Sequence, residues 1–487
     1  MRKENQILSK FNADSTIVEV SQLCELGKVY CLLQQYHRAK SCYEAAYKLC
    51  IQMNDDNHLY ITTLIFIFND LGVVYSALNK YKVALSYYMK SSSILECAVK
   101  NREEKLMQAD IFGNIANTLN SLGNYRNALI YYEKSLSIKE ELLLSNHNSI
   151  AGSISNLSVI YRNIGEHNKA LEFAKQALLM VDSYNERQLE KVEILNNLAL
   201  VYVDLKNYNE ALANYEDAIS ITENSLGSFH PILIVLFNNL GRMYNDMRSL
   251  QLAHNFLLRS VEIGERLSLN RNNPNLDLAD TYCDLGDYYR LSNGLTNAII
   301  FYNKSLKIKV GVLGVDNVSV AELFNHLAEV HADDDNFKEA MECITKSLQI
   351  KRKLLGNNNL EIVNDYYIMG NIFLKMGVVD KAELYLDTSL EIRKRLKDSA
   401  DQIAASYNSL GECYNLSENY ELSQKYFENA LNLLEGMYDK QNYKVILVTH
   451  NIVNICCKKQ NYIDAITYLQ DILEFNSREC SLKCVKI

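Results

Sequence analysis

Residues 195–219 read LNNLALVYVDLKNYNEALANYEDAI. Within this stretch a small residue, Ala199, is followed by Tyr202 three positions later, Ala211 twelve later and Ala218 nineteen later. The same spacing recurs along the chain. The small anchor stands at Gly27, Gly72, Ala116, Ser158, Ala199, Gly241, Gly286, Ala328, Gly370 and Gly411, with a weaker eleventh copy centred on Val453, and successive anchors lie 41 to 45 residues apart. Twelve residues after the anchor the chain has alanine in ten of eleven copies, Ser423 being the exception, so the repetition is not accidental. Nineteen after it stands Ala or Ser in ten copies, with Ile472 the exception. Small residues at recurring sites mark helices that cross closely.

Composition agrees with a helical chain. Two prolines and 18 glycines in 487 residues are too few breakers for the many short turns of an all-β sandwich or barrel. A length of 487 would predict about three domains, unless one repeated unit builds the whole. The repeat supplies that unit, and a hydrophobic content of 48% supplies its core. The tyrosines three, nine and sixteen residues after the anchors account for 18 of the 33 in the chain, which makes most of them packing residues.

A small residue, an aromatic, Ala, an aromatic and Ala at these offsets resemble the tetratricopeptide repeat, an antiparallel helix pair stacked into a right-handed superhelix. The resemblance covers residues 20 to about 475, with the usual period of about 34 lengthened to about 42. It implies an all-α fold, an α-solenoid of about eleven helix pairs starting near 20, 65, 109, 151, 192, 234, 279, 321, 363, 404 and 446. An N-terminal extension (1–19) and a tail (476–487) would flank it. LGSFHP (226–231) and LGVDNVSVA (313–321), together with the quoted stretch, are similar to the long repeats of kinesin light chain and nephrocystin-type proteins. The heptad coiled coil by which a light chain joins its heavy chain is not found in the sequence.

Chemistry of the catalytic kind is not legible. No phosphate-cradling glycine loop, GxSxG elbow or metal-ligand spacing occurs, so neither an enzyme nor a cofactor is expected. His326 and His331 are five apart, about 140° around a helix, and do not converge on one ion. Asp333, Asp334 and Asp335 read as the turn between the two helices of their repeat. Cys484-Val-Lys-Ile487 is a poor prenylation box, with lysine at an aliphatic site. The net charge of -9 and the lack of a basic block argue against nucleic acid. No signal peptide and no 18-residue apolar run is apparent, and twelve scattered cysteines suit a reducing compartment, so a cytoplasmic protein without a membrane contact is expected.

Function is therefore sought on the surface. With the anchor counted as position 8, positions 4, 7, 8 and 11 of the first helix point to the core, and positions 2, 6, 9 and 13 lie nearly opposite. The resemblance makes that opposite face the inner concave wall. Position 6 carries four consecutive asparagines, Asn114, Asn156, Asn197 and Asn239. Their amides could hold an extended peptide backbone, as the groove asparagines of kinesin light chains are expected to do, or could cap and pack against the next helix. Positions 2, 5 and 6 contain no Lys or Arg in any copy, which excludes the carboxylate clamp for acidic chaperone tails. Over positions 2, 6, 9 and 13 the acids number thirteen and the bases four, Arg242 among them. Asp280, Asp284, Asp287, Glu322 and Glu329 are the densest part of that excess.

The resemblance to kinesin light chains implies acidic, tryptophan-containing ligands. The charge count instead predicts a basic extended peptide. The leading expectation is a non-enzymatic scaffold or cargo adaptor for peptide segments of protein partners. The alternatives are the regulatory repeat region of a larger signalling protein and, less favoured, a helical-repeat RNA binder. The apolar last repeat (Ile452, Val453, Ile455) leaves end-to-end self-association open.

Overall fold

The structure is a computed structural model that describes residues 18–53, 58–98, 101–144, 147–182, 188–271, 275–356, 359–396, 398–438, 440 and 442–470. Most of the N-terminal extension, the 476–487 tail, the C-terminal box and the tail thiols Cys480 and Cys484 lie outside the described residues. The chain divides into two units, Met1–Asn317 and Val318–Ile487.

In the first unit the helices come in seven pairs. They are α1 (18–32) with α2 (Tyr36–Met53), α3 (His58–Ala77) with α4 (Tyr81–Ala98), α5 (Arg102–Ser121) with α6 (Tyr125–Leu142), and α7 (Asn148–Ile164) with α8 (His167–Asp182). There follow α9 (Gln188–Asp204) with α10 (Tyr208–Leu226), α11 (Pro231–Asp246) with α12 (Leu250–Arg271), and α13 (Leu276–Leu291) with α14 (Leu295–Leu313). The second unit has four pairs: α15 (Val318–Asp333) and α16 (Phe337–Leu355), α17 (Leu360–Lys375) and α18 (Val379–Leu396), α19 (Ala400–Leu416) and α20 (Tyr420–Glu435), α21 (Tyr443–Lys458) and α22 (462–470). Among the described residues no strand is present.

Sterics explain the small anchors. A methyl group added at Gly241 would lie 2.6 Å from the Leu257 side chain, and one at Gly411 would lie 2.6 Å from the Phe427 ring. The residue sixteen after the anchor thus fills the space its glycine leaves. Ser158 faces the reverse solution, since the residue sixteen later is the small Ala174, and both are buried. The alanines twelve after the anchor are buried as well, from Ala39 to Ala382.

The serines nineteen after the anchor add a bond that size alone does not require. Ser91, Ser135, Ser260, Ser305 and Ser389 donate to the backbone carbonyls of Ile65, Ala109, Ile234, Ala279 and Val363 at 2.6–3.2 Å. Each ties the second helix of a pair to the N-terminal half of its partner. The turn inside every pair places one residue, seven after the anchor, at positive φ. Asp335 holds that place with φ 56°, so Asp334 and Asp335 lie in the turn while Asp333 ends α15.

One expectation needs correction. The window Tyr60–Ala77 of α3 has a mean hydropathy of 1.4, long and apolar enough to cross a membrane by length and composition. Its apolarity has a packing origin, because Ile65, Ile67, Leu71 and Val74 are buried in the core around α3 and α4. Asp70 interrupts the run.

Candidate functional site

Three carboxylates, Asp280, Asp284 and Asp287, occupy α13 at i, i+4 and i+7 and so share one face. Asp284 is only 5% exposed, and Arg242 on α11 donates from Nε to its Oδ1 at 2.7 Å. Its second oxygen is buried and accepts no hydrogen bond among the described residues. Burial pushes the Asp284 carboxyl up to about 7, outweighing the opposing pull of the Arg242 guanidinium. Asp280 meets Lys309 Nζ at 2.7 Å, and Asp287 accepts from the Tyr302 hydroxyl at 2.6 Å. Burial also raises the Cys283 thiol well above its ordinary value, aided by the charge of Asp287, so it is a poor nucleophile.

The asparagine ladder is engaged with its neighbours. Asn114 donates to Asn69 Oδ1 at 3.0 Å, Asn197 to Ser155 Oγ at 3.0 Å, and the buried Asn239 to Asn196 Oδ1 at 2.8 Å. Each bond joins the first helices of adjacent repeats, from α3 to α5, α7 to α9 and α9 to α11. Asn156 is half-buried, and its amide makes no such bond among the described residues. One N–H and the carbonyl oxygen of a bridging asparagine are still available to a second partner. Glu322 is exposed and Glu329 half-buried on α15, in the second unit.

The stripe leaves out cations that reach this face from other positions, Arg162 on its shoulder and two lysines from second helices. Lys139 on α6 pairs with Asp110 at 3.1 Å, Lys309 on α14 with Asp280, and Arg162 on α7 with Asp204 at 2.8 Å. Within the first unit the stripe holds nine acids and two bases, and these three cations bring the bases to five, so the acidic excess there is smaller than the stripe implied. A signal for two of them was present. Lys139 and Lys309 stand 23 residues after their anchors, as do Lys351 and Arg393, and all four are buried. An aromatic column fifteen after the anchor was also unread: Tyr87, Phe173, Phe256, Phe301, Tyr385 and Tyr426 each stack on the aromatic three after their anchor.

Among the described residues no group of three His, Cys, Asp or Glu side chains is placed to hold a metal. What the wall offers is a helical surface with regularly spaced amides and carboxylates.

Over residues 19–96, 107–180, 190–266, 319–395 and 402–478 the chain matches the tetratricopeptide repeat, and it belongs to that family. Its long repeats resemble those of the kinesin light chain type. The chain is 28% identical over 131 residues to Protein KINESIN LIGHT CHAIN-RELATED 2 of Arabidopsis thaliana, covering 27% of this chain and 20% of that protein. It is 28% identical over 126 residues to Protein KINESIN LIGHT CHAIN-RELATED 3 of the same plant, covering 26% and 19%. The matched stretch thus spans about a fifth of the length of these relatives. Among solved structures it is similar to BtubC (BKLC) from P. vanneervenii, with 22% identity, a TM-score of 0.39 and coverage of 49% of this chain and 93% of that one. It is also similar to the apo form of RapI, with 20% identity, a TM-score of 0.44 and coverage of 60% and 99%. A repeat fold of this family is a scaffold for protein–protein interaction.

Proposed function

We propose that the chain is a non-enzymatic adaptor that holds extended peptide segments of protein partners along the inner wall of its first unit, with basic partner side chains near Asp280, Asp284 and Asp287. The placement of these three carboxylates on one face of α13 carries the proposal. Each is already engaged by the partner named above, and a carboxylate can accept from several donors at once. Asn156, and the second N–H and carbonyl of Asn114 and Asn197, are suited to the partner's backbone. Glu322 and Glu329 offer the same acidic chemistry within the second unit. A wall of one net sign also raises the on-rate of oppositely charged partners. The nine cysteines whose side chains are described are free thiols, which supports a reducing cytoplasm as the setting.

A peptide array scored at low and high salt tests this. Lys/Arg-containing peptides should bind better than acidic ones, and the preference should shrink with salt. Asp280→Asn with Asp287→Asn should weaken the best basic peptide several-fold. Acidic peptides binding equally well would overturn the proposal.

A further inference from the structure

Contacts in a stacked repeat normally join only neighbouring pairs. The first unit contains a contact that breaks this rule. The side chain of Asn317 donates from Nδ2 to the backbone oxygen of Leu78 at 2.8 Å, across 239 residues of chain. Asn317 is 1% exposed. Val312 and Leu313, at the end of α14, are buried in the apolar cluster that also holds Ile65, Leu71 and Leu78. Leu276 and Ile308 pack against that same cluster.

The local chemistry suits the contact. Leu78 follows the last residue of α3, where helix carbonyls lack an intrahelical partner, and the side chain of Asn317 supplies a donor. On the other side, Gly314 ends α14 at φ +84°, a left-handed conformation that turns the chain sharply, and the Asn317 N–H donates to Val315 O at 3.0 Å. A helix end, a turn and one amide thus converge on a distant helix end.

We propose that residues 312–317 form a latch that fixes the curvature of the first seven repeats and releases as a unit. The holding surface is local: the Asn317 side chain, the buried Val312 and Leu313, and Leu276 and Ile308 packed beside them. The strength of the repeat stack does not depend on it, because each pair is already packed on its neighbours. Closed and open forms therefore differ in the bend of the stack and leave the repeats themselves intact. A partner that favours either curvature would shift the balance between them by its difference in affinity.

Asn317→Asp in the full chain separates the latch from the fold. Aspartate is as good a residue as asparagine just ahead of a helix, yet it cannot donate to Leu78 O and would place a charge against it. Asn359→Asp, at the equivalent place before α17, is the control, since there Asn359 only accepts from the Glu361 N–H at 2.9 Å. Leu313→Ala tests the apolar half. Hydrogen exchange should become several-fold faster in two segments far apart in sequence, 65–81 and 308–316, in both latch variants. It should stay unchanged at 150–225 and throughout the control, and small-angle scattering should show a larger radius for the latch variants. Faster exchange confined to 308–317, or spread over all seven repeats, would overturn the latch.

Discussion

Two joints between neighbouring first helices do the same task by different chemistry. Between α9 and α11 the link is a neutral amide pair, Asn239 donating to Asn196. Between α15 and α17 the corresponding donor is missing, because Ile368 stands where Asn239 stands in its own repeat. Asn325, the counterpart of Asn196, instead donates to Asp365 Oδ1 at 2.7 Å. That choice places a carboxylate inside the protein, and Lys351 Nζ meets it at 2.7 Å while Ser347 donates to its other oxygen at 3.0 Å. Both side chains of the ion pair are 0% exposed. Changing one amide to an isoleucine is thus accompanied by a buried charge and its counter-charge, because a buried polar group needs a partner.

The comparison is most directly broken at Lys351. Lys351→Met should cost about 3–5 kcal/mol, since it strands the Asp365 carboxylate in the core. Asn239→Ala should cost only about 1 kcal/mol, the loss of one neutral hydrogen bond. Adding Asp365→Asn to Lys351→Met should recover much of the loss, because the stranded charge disappears. Urea titrations of all variants decide this, and equal costs at the two joints would show that charge burial does not distinguish them.

A pH effect on the order of 4 kcal/mol is expected at the joint of α11 with α13. The folded Asp284 carboxyl sits near 7 against an ordinary value of 3.8. Below about pH 4 both folded and unfolded forms are protonated there, and the stability it confers is fully present. Between about 4 and 7 only the unfolded chain ionises, so raising the pH favours unfolding; above 7 the difference is constant. Asp284→Asn should therefore match the parent near pH 4 and grow more stable than it as the pH approaches 7. Burial also raises the carboxyls of Asp70, Asp277, Asp365 and Glu412, so the whole chain should be firmer in mild acid than at neutrality. Melting curves from pH 4.5 to 7.5 check both, and a rise in stability with pH would contradict them.

The repeat was legible because its signals are steric and act on one residue type at one place. Gly411 is small since Phe427 occupies its space, and the same relation returns about every 42 residues. The pairing of polar groups was not legible from a single helical face. Asp280 and Asp110 find their cations on the second helix of a pair, and Arg242 finds its acid on the next repeat. The asparagines at position 6 were visible as a ladder, but whether each amide faces a ligand or a neighbour depends on the position-5 residue of the preceding repeat, as with Asn69 for Asn114 and Asn196 for Asn239. Contact between Asn317 and Leu78 leaves no trace in the repeat pattern, because the equivalent Asn359 serves only to accept from the Glu361 N–H.

The finest form of the comparison is a single hydroxyl. Tyr215 and Tyr302 both stand sixteen residues after their anchors, and both are wholly buried. Tyr302 donates to Asp287, the residue next to its anchor, whereas the residue next to the other anchor is Leu200 and the Tyr215 hydroxyl has no hydrogen-bond partner among the described residues. In α5 and α6 the rule holds again, with Tyr132 donating to Asn117 beside Ala116. Tyr302→Phe should therefore cost about 1 kcal/mol, and Tyr215→Phe should be neutral or slightly stabilising, because it removes a polar group buried without a partner. Leu200→Asn should supply the missing acceptor. In that background Tyr215→Phe should become costly, and a double-mutant cycle read by hydrogen exchange in α9 and α10 should give a coupling of about 0.5–1 kcal/mol. A cycle that closes at zero would mean that the side chain beside the anchor does not decide the fate of this hydroxyl.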